Sequence, residues 1–130
     1  MTLETLKKLN FRNKATGLNL PEGFKESFEQ WGFGQTLLPN QKTDNVIVFF
    51  NDSGEFLRFL SQDLPHIKYD GVLWFAYPKG TSGIKTDINR DILWKLSEQF
   101  GIKPASNVSL DDIWSGLRFR PIEKVVSKSV

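Results

Sequence analysis

The chain contains no cysteine, which removes disulfides, thiolate metal sites and cysteine nucleophiles together and fits a reducing, cytoplasmic setting. Its single histidine, His66, follows Pro65 in a connection, so neither a histidine metal set nor a Ser/His/Asp arrangement is argued, and it reads as a solvated loop residue. There is no apolar run of about 18 residues, and the opening MTLETLKKLNF lacks the apolar centre of a signal peptide. The expectation is a protein with no membrane association. Asn51-Asp52-Ser53 and Asn107-Val108-Ser109 match the glycosylation pattern, which carries no meaning without secretion. Excess charge is also scarce: 17 Lys and Arg oppose 15 Asp and Glu, a net +2, far from the basic footprint of a dedicated nucleic-acid binder. Neither GxxxxGK[ST] nor GxGxxG occurs, and there are no internal repeats or low-complexity linkers.

What is present is aromatic. Eleven Phe and four Trp in 130 residues suffice to fill one core, and the length is that of one domain. Residues 1–13 read as an N-terminal extension holding a short polar helix over 2–9. Residues 14–20, broken by Gly17, are a candidate first strand. Pro21 at a helix start, with Phe24, Phe28 and Trp31 at i, i+4 and i+7 before Gly32, predicts an amphipathic helix. Thr36 to Pro39 is a candidate brief strand. Asn45 to Phe50 reads as a buried strand, and Asp52 with Glu55 as a variant capping box opening a helix on Phe56, Phe59, Leu60 and Leu64 that Pro65 closes.

The organising stretch runs from Asp70 to Trp94. Val72 to Tyr77 (VLWFAY) is too continuously apolar for a strand with a wet face and predicts a central one. Pro78 is expected to stop the sheet ladder, and Gly80 and Gly83 to bend the loop around Thr81 and Ser82. Thr86 is the expected N-cap of a helix carrying Ile88, Ile92, Leu96 and Phe100 up to Gly101. Lys103 to Arg120 then reads as strand, Asp111-Asp112 turn and strand, or as a turn of helix before the final strand, ending at Pro121, and 122–130 as a frayed tail. Strand and helix in this alternation argue for an α/β fold: a single three-layer domain over 1–130, its central sheet mostly parallel, with an antiparallel strand allowed near the C-terminus.

YDGVLWFAYPKGTSGIKTDINRD, followed by VSLDDIWSGLRFRP, resembles a bacterial family known only as domain of unknown function number 3052, with its LW.(A/S)(Y/W)PK..S...TD(I/L) and D(D/E).WS(G/A)L(R/K) runs. NLPEGF and VIVFF extend the likeness over nearly the whole chain. Gly83 departs from it, standing where lysine or another polar residue is more usual. The resemblance implies a small cytoplasmic α/β protein and brings no activity, cofactor or catalytic residue with it.

In open α/β sheets, ligands favour the crevice beyond the carboxyl ends of the strands, where the loop after VLWFAY would lie. Lys79, Gly80, Thr81, Ser82, Lys85 and Thr86 offer backbone amides, hydroxyls, ammonium groups and a helix start, the parts that hold phosphate or carboxylate. Against this, Asp87 places negative charge where an anion would dock. Ser82 and Lys85 have SxxK spacing without its companion motifs. Asp87, Asp91, Asp111 and Asp112 can be drawn together on a hard cation, but as cap and turn residues they argue for no metal. Trp114, Arg118 and Arg120 share one face of the final strand while Ile113, Ser115, Leu117 and Phe119 face the core, and Arg90 can pair with Asp111 or Asp112.

The sequence therefore supports a noncatalytic module binding a partner protein or small anionic ligand at residues 78–86, with Arg90 and Arg118 helping and with no cofactor. The alternatives are an enzyme acting on a small phosphorylated or carboxylated substrate, with Asp87 or Asp112 as general base, and a weak single-stranded nucleic-acid binder using Trp114 and Arg118.

Overall fold

The computed structural model describes residues 1–12, 14–37 and 40–125. At its centre is β3 (Leu73–Pro78), paired parallel with β2 (Val46–Phe49) on one side and antiparallel with β5 (Trp114–Pro121) on the other. β1 (Thr16–Leu18) extends the parallel side and β4 (Ile102–Ser109) the antiparallel side, giving the order β1-β2-β3-β5-β4. The mixed sheet is the α/β architecture expected, with the antiparallel contribution confined to the final hairpin.

A strand buried on both faces needs two covering layers, and alternation of side chains assigns each residue to one of them. Val46, Val48, Leu73, Phe75, Leu117 and Phe119 meet α3 (Ser53–Gln62) and α4 (Arg90–Glu98) through Phe56, Phe59, Leu60 and Leu93. Ile47, Phe49, Trp74, Ala76 and Trp114 meet α2 (Glu22–Gln30) through Phe24 and Phe28. The short α1 (Leu3–Lys8) ends over this second face, where buried Leu9 accepts a hydrogen bond from the Trp74 indole N–H at 2.9 Å. Phe75 is fully buried among Phe50, Phe56, Phe59 and Phe119, with ring centroids 4.7–5.4 Å away. No helix among the described residues is long and apolar enough to cross a membrane.

Several local expectations are corrected. Pro78 stops the ladder on one side only: toward β5 it pairs in register with Trp114, and Lys79 N–H donates to Ile113 C=O at 2.7 Å. Toward β2 the last bond is Phe50 N–H to Ala76 C=O at 2.9 Å, and the N–H that Pro78 lacks is the donor that would have come next. The N-cap of α4 is Asn89, whose side chain accepts from Ile92 N–H at 2.9 Å, not Thr86. The later start turns Leu93 rather than Ile92 fully inward and leaves Asp87 outside the helix, so Asp87 and Asp91 share no helix face. Ile113 is 40% exposed, whereas Trp114 is buried edge-on against Phe49, because β5 lies inside the sheet with both faces covered. Thr36 and Leu37 form no strand; Leu38, Pro39 and the tail 126–130 lie outside the described residues.

The chain changes direction across the sheet between β1 and β2. After α2 it returns not to β2 but to the outer side of β1, where Gly34 makes a parallel bridge with Thr16: Gly17 N–H donates to Gly34 C=O and Gly34 N–H to Ala15 C=O, each at 2.9 Å. It then crosses to the other side of β1 to begin β2, and continues through α3 to β3. Consistent with that reversal, α2 and α3 cover opposite faces. The position needs Gly17, since a Cβ there would stand 2.9 Å from Leu20 Cδ2 and 3.0 Å from Phe28 Cδ2. Gly17→Ala is expected to destabilise by about 1–3 kcal/mol through overpacking. Gly23→Ala, in the open first turn of α2, should instead stabilise by about 0.5 kcal/mol, and urea unfolding of both variants checks the contrast.

Candidate functional site at the carboxyl edge of the sheet

The loop between β3 and α4 reaches the carboxyl edge, as its sequence suggested, and there its polar groups bind one another. The backbone turns at Lys79–Ser82, with Ser82 N–H donating to Lys79 C=O, and Gly83 takes the left-handed conformation at φ +82°. Ser82 Oγ accepts from Ile84 N–H at 3.1 Å, and Lys79 Nζ donates to Ser109 Oγ at 2.6 Å. Thr86 Oγ1 accepts from Ile88 N–H at 3.1 Å and donates to the carbonyl of Asn51. Asp87 reaches the start of α3, where its carboxylate accepts from Ser53 N–H at 2.8 Å and from the Ser53 hydroxyl. The start of α3 is therefore seated on an internal carboxylate, and the start of α4 on the side chain of Asn89.

The remaining singled-out residues are dispersed. Gly80, Thr81, Lys85, Arg90 and Asp112 are exposed, and Arg90 makes no ion pair with Asp111 or Asp112. Asp111 instead holds its own turn, accepting from Ile113 and Trp114 N–H at 2.8 and 2.7 Å. Trp114 is packed in the core. Arg118 stands opposite Trp74, about 13 Å along β5 from Trp114 at strand rise, so it does not join the loop. Desolvation, then the neighbouring Arg120 charge, holds its guanidinium below the usual arginine range, and its Nε is buried without a hydrogen-bond partner. Among the described residues no three His, Asp or Glu side chains gather as a cation site.

The reversal between β1 and β2 marks a second place on this edge, one that periodicity in the sequence did not single out. Where strand order reverses, the two outgoing connections part to opposite faces and leave a crevice between the strand ends. On the α3 side of β1 and β2 lies a groove of about 380 Å³, floored by Leu18, Val48 and Phe59 and flanked along α3 from Glu55 to Asp63. Its polar wall is Asn19, Gln35, Thr36, Glu55, Arg58 and Asp63. Asn19 holds φ +56° as the chain leaves β1, and Gln35 and Thr36 follow the Gly34 bridge. Glu55 accepts from Asn51 Nδ2 at 3.3 Å, while Arg58 is exposed and makes no ion pair or hydrogen bond among the described residues. A wall with one guanidinium, two carboxylates, two amides and a hydroxyl suits a ligand rich in both hydrogen-bond donors and acceptors.

No family model matches the chain, and no curated protein matches its sequence. Among solved structures it is similar to a LepI variant in complex with SAH and a substrate analogue, with a TM-score of 0.53 at 10% identity over 89% of this chain and 38% of that one. A pericyclic reaction enzyme gives 0.51 at 10% identity over 91% of this chain and 39% of that one. The ribosomal protein L11 methylase from Lactobacillus delbrueckii subsp. bulgaricus gives 0.50 at 13% identity over 92% and 64%. The likeness is one of α/β fold, and this chain spans less than two fifths of the first two proteins and just under two thirds of the third.

The Asp87–Ser53 link makes a prediction about acid stability. The hydrogen bond from the Ser53 hydroxyl, followed by that from its amide, holds Asp87 below the usual aspartate value of 3.8. A lowered folded-state value means the link contributes fully above that pH and is lost as pH falls through the folded value. Ser53→Ala and Asp87→Asn should both lower the urea midpoint at pH 7, and the gap to wild type should close as acidification passes below the usual aspartate range.

Proposed function

We propose that this chain is a ligand-binding α/β module whose site is the crevice between the carboxyl ends of β1 and β2. The observation that carries the reading is the parallel bridge of Gly34 on the outer side of β1, which sets the chain after it beside a groove edged by Asn19, Gln35, Thr36, Glu55, Arg58 and Asp63. Arg58 would take an acidic group of the ligand, and Glu55 and Asp63 its hydroxyl or amino hydrogens. The fitting class is a small polar molecule bearing both, of the amino-acid or nucleoside type; the SAH named with one fold neighbour is of this kind and belongs among the probes. The loop from Lys79 to Thr86 then acts as the brace that fixes the start of α3. Kinship with domain of unknown function number 3052, carried by the LWFAYPK and DDIWSGLR runs, is part of the same proposal and adds no activity to it.

A thermal-shift panel of amino acids, nucleosides, SAH and inorganic phosphate tests it. A ligand at about a hundred times its Kd stabilises by about 2.7 kcal/mol, which moves the Tm of a domain of this size by roughly 10 °C. The expected hit is abolished by Arg58→Ala and by Glu55→Gln and retained by Lys79→Ala and Arg90→Ala. The reverse pattern would move the site to the 78–86 loop, and a panel with no hit at millimolar concentration would overturn the reading.

A further inference from the structure

At the opposite, amino end of β3 lies a cleft of about 390 Å³, within the size range of small-molecule sites. Its floor is apolar: Ile67, Leu73, Ile102 and Phe119 belong to the core, and Leu64 and Phe100 pack against it. Its rim is charged, and most of that charge is already paired. Asp70 and Arg120 form a bidentate ion pair, with Nε to Oδ1 and Nη2 to Oδ2 both 2.9 Å. The Tyr69 hydroxyl donates to the Glu123 carboxylate, although Tyr69 itself is 61% exposed. Tyr69, in the turn before β3, and Glu123, in the turn after β5, are joined by this bond beyond the ends of the two strands as a strap. Their mutual bond is the largest cause holding Glu123 below and Tyr69 above their usual ranges.

Two rim charges stay unpaired. Lys42 and Lys68 line the cleft, are exposed, and make no ion pair among the described residues. An apolar floor under two unneutralised ammonium groups complements a molecule with one flat or aliphatic body and one negative head. We propose that this cleft is a second binding site, separate from the β1–β2 crevice, that takes a small amphipathic monoanion such as an aromatic or medium-chain carboxylate. The body lies on Leu73, Ile102 and Phe119, the carboxylate meets Lys42 and Lys68, and the Tyr69–Glu123 strap borders the entrance.

The test is an amide NMR titration of the full chain with 1-naphthoate, with the neutral 1-naphthalenemethanol as its partner. The expected result is saturable shifts concentrated in residues 67–73, 100–102 and 119–123, with naphthoate binding at least several-fold more tightly than the alcohol. Lys42→Glu combined with Lys68→Glu, both at exposed positions, should weaken naphthoate about tenfold and leave the alcohol unchanged. Tyr69→Phe keeps the ring but removes the strap and should speed dissociation several-fold. Shifts scattered over the surface, equal binding of acid and alcohol, or no saturation by about 1 mM would overturn the proposal. So would movement of the same amides on dilution of the free protein, which would assign the cleft to a second copy of the chain. Because Arg58 lies outside this cleft, Arg58→Ala separates the fate of this site from that of the crevice.

Discussion

Four residues, Leu73–Ala76, are paired along both edges and buried on both faces, and that double burial is the constraint from which the rest of the structure follows. A strand with no wet face demands partners of both hands here: a parallel β2 reached through α3, and an antiparallel β5 reached through the hairpin with β4. It also demands two separate apolar layers, which is why the phenylalanines divide between a cluster around Phe75 and another around Phe49 and Trp74. Removing Phe75 would open a cavity shared by four aromatic neighbours, a loss of the order of 3–5 kcal/mol.

Both edges of that sheet are braced by carboxylates acting as internal hydrogen-bond acceptors. At the amino edge Asp44 Oδ1 accepts from Asn45 N–H at 2.8 Å and Val72 N–H at 3.1 Å, joining the starts of β2 and β3. Gly71 permits this approach, for a Cβ there would stand 2.6 Å from that oxygen. Buried Asn45, in a left-handed conformation, accepts from Arg12 N–H at 3.0 Å and so secures the N-terminal segment to the same corner. At the carboxyl edge Asp52 caps α3 from within and Asp87 caps it from the neighbouring connection. Polar groups used in this way hold connections in place and are withdrawn from ligand binding.

Two of the open places are separate in the fold. The crevice between β1 and β2 exists because the chain reverses there, and its wall is polar. The cleft below β3 exists because α3 and α4 end short of the sheet's amino edge, leaving Leu73 and Phe119 under little more than the turn at Leu64–His66 and the end of α4. The two differ in chemistry as they do in origin: hydrogen-bonding groups of both signs in one, an apolar floor with unpaired lysines in the other.

The elements themselves were legible in the sequence because each is specified locally. VLWFAY and NVIVFF are continuous apolar runs that only a central strand satisfies, and Phe24, Phe28 and Trp31 recur at helical spacing. The start of α4 was misplaced because Thr86 and Asn89 are equally good caps by residue type, and the choice fell to Asn89 once Thr86 and Asp87 were engaged by Asn51 and Ser53, over thirty residues away. The same distant partners decided the fate of the 78–86 loop, whose composition alone advertised an anion seat. The β1–β2 crevice left no periodic signal at all: it depends on a single bridge at Gly34 and on side chains from β1, α3 and the segment after Gly34, which only the folded chain assembles. Sequence by itself determined the central strands and the amphipathic helices and most of the core they share, since hydrophobic period is a property of neighbours along the chain, whereas Trp114 and Leu93 joined that core only through the sheet and the start of α4. Tertiary structure decided which polar groups are consumed as caps and which stay free, since a hydrogen bond between remote segments is a property of position in space.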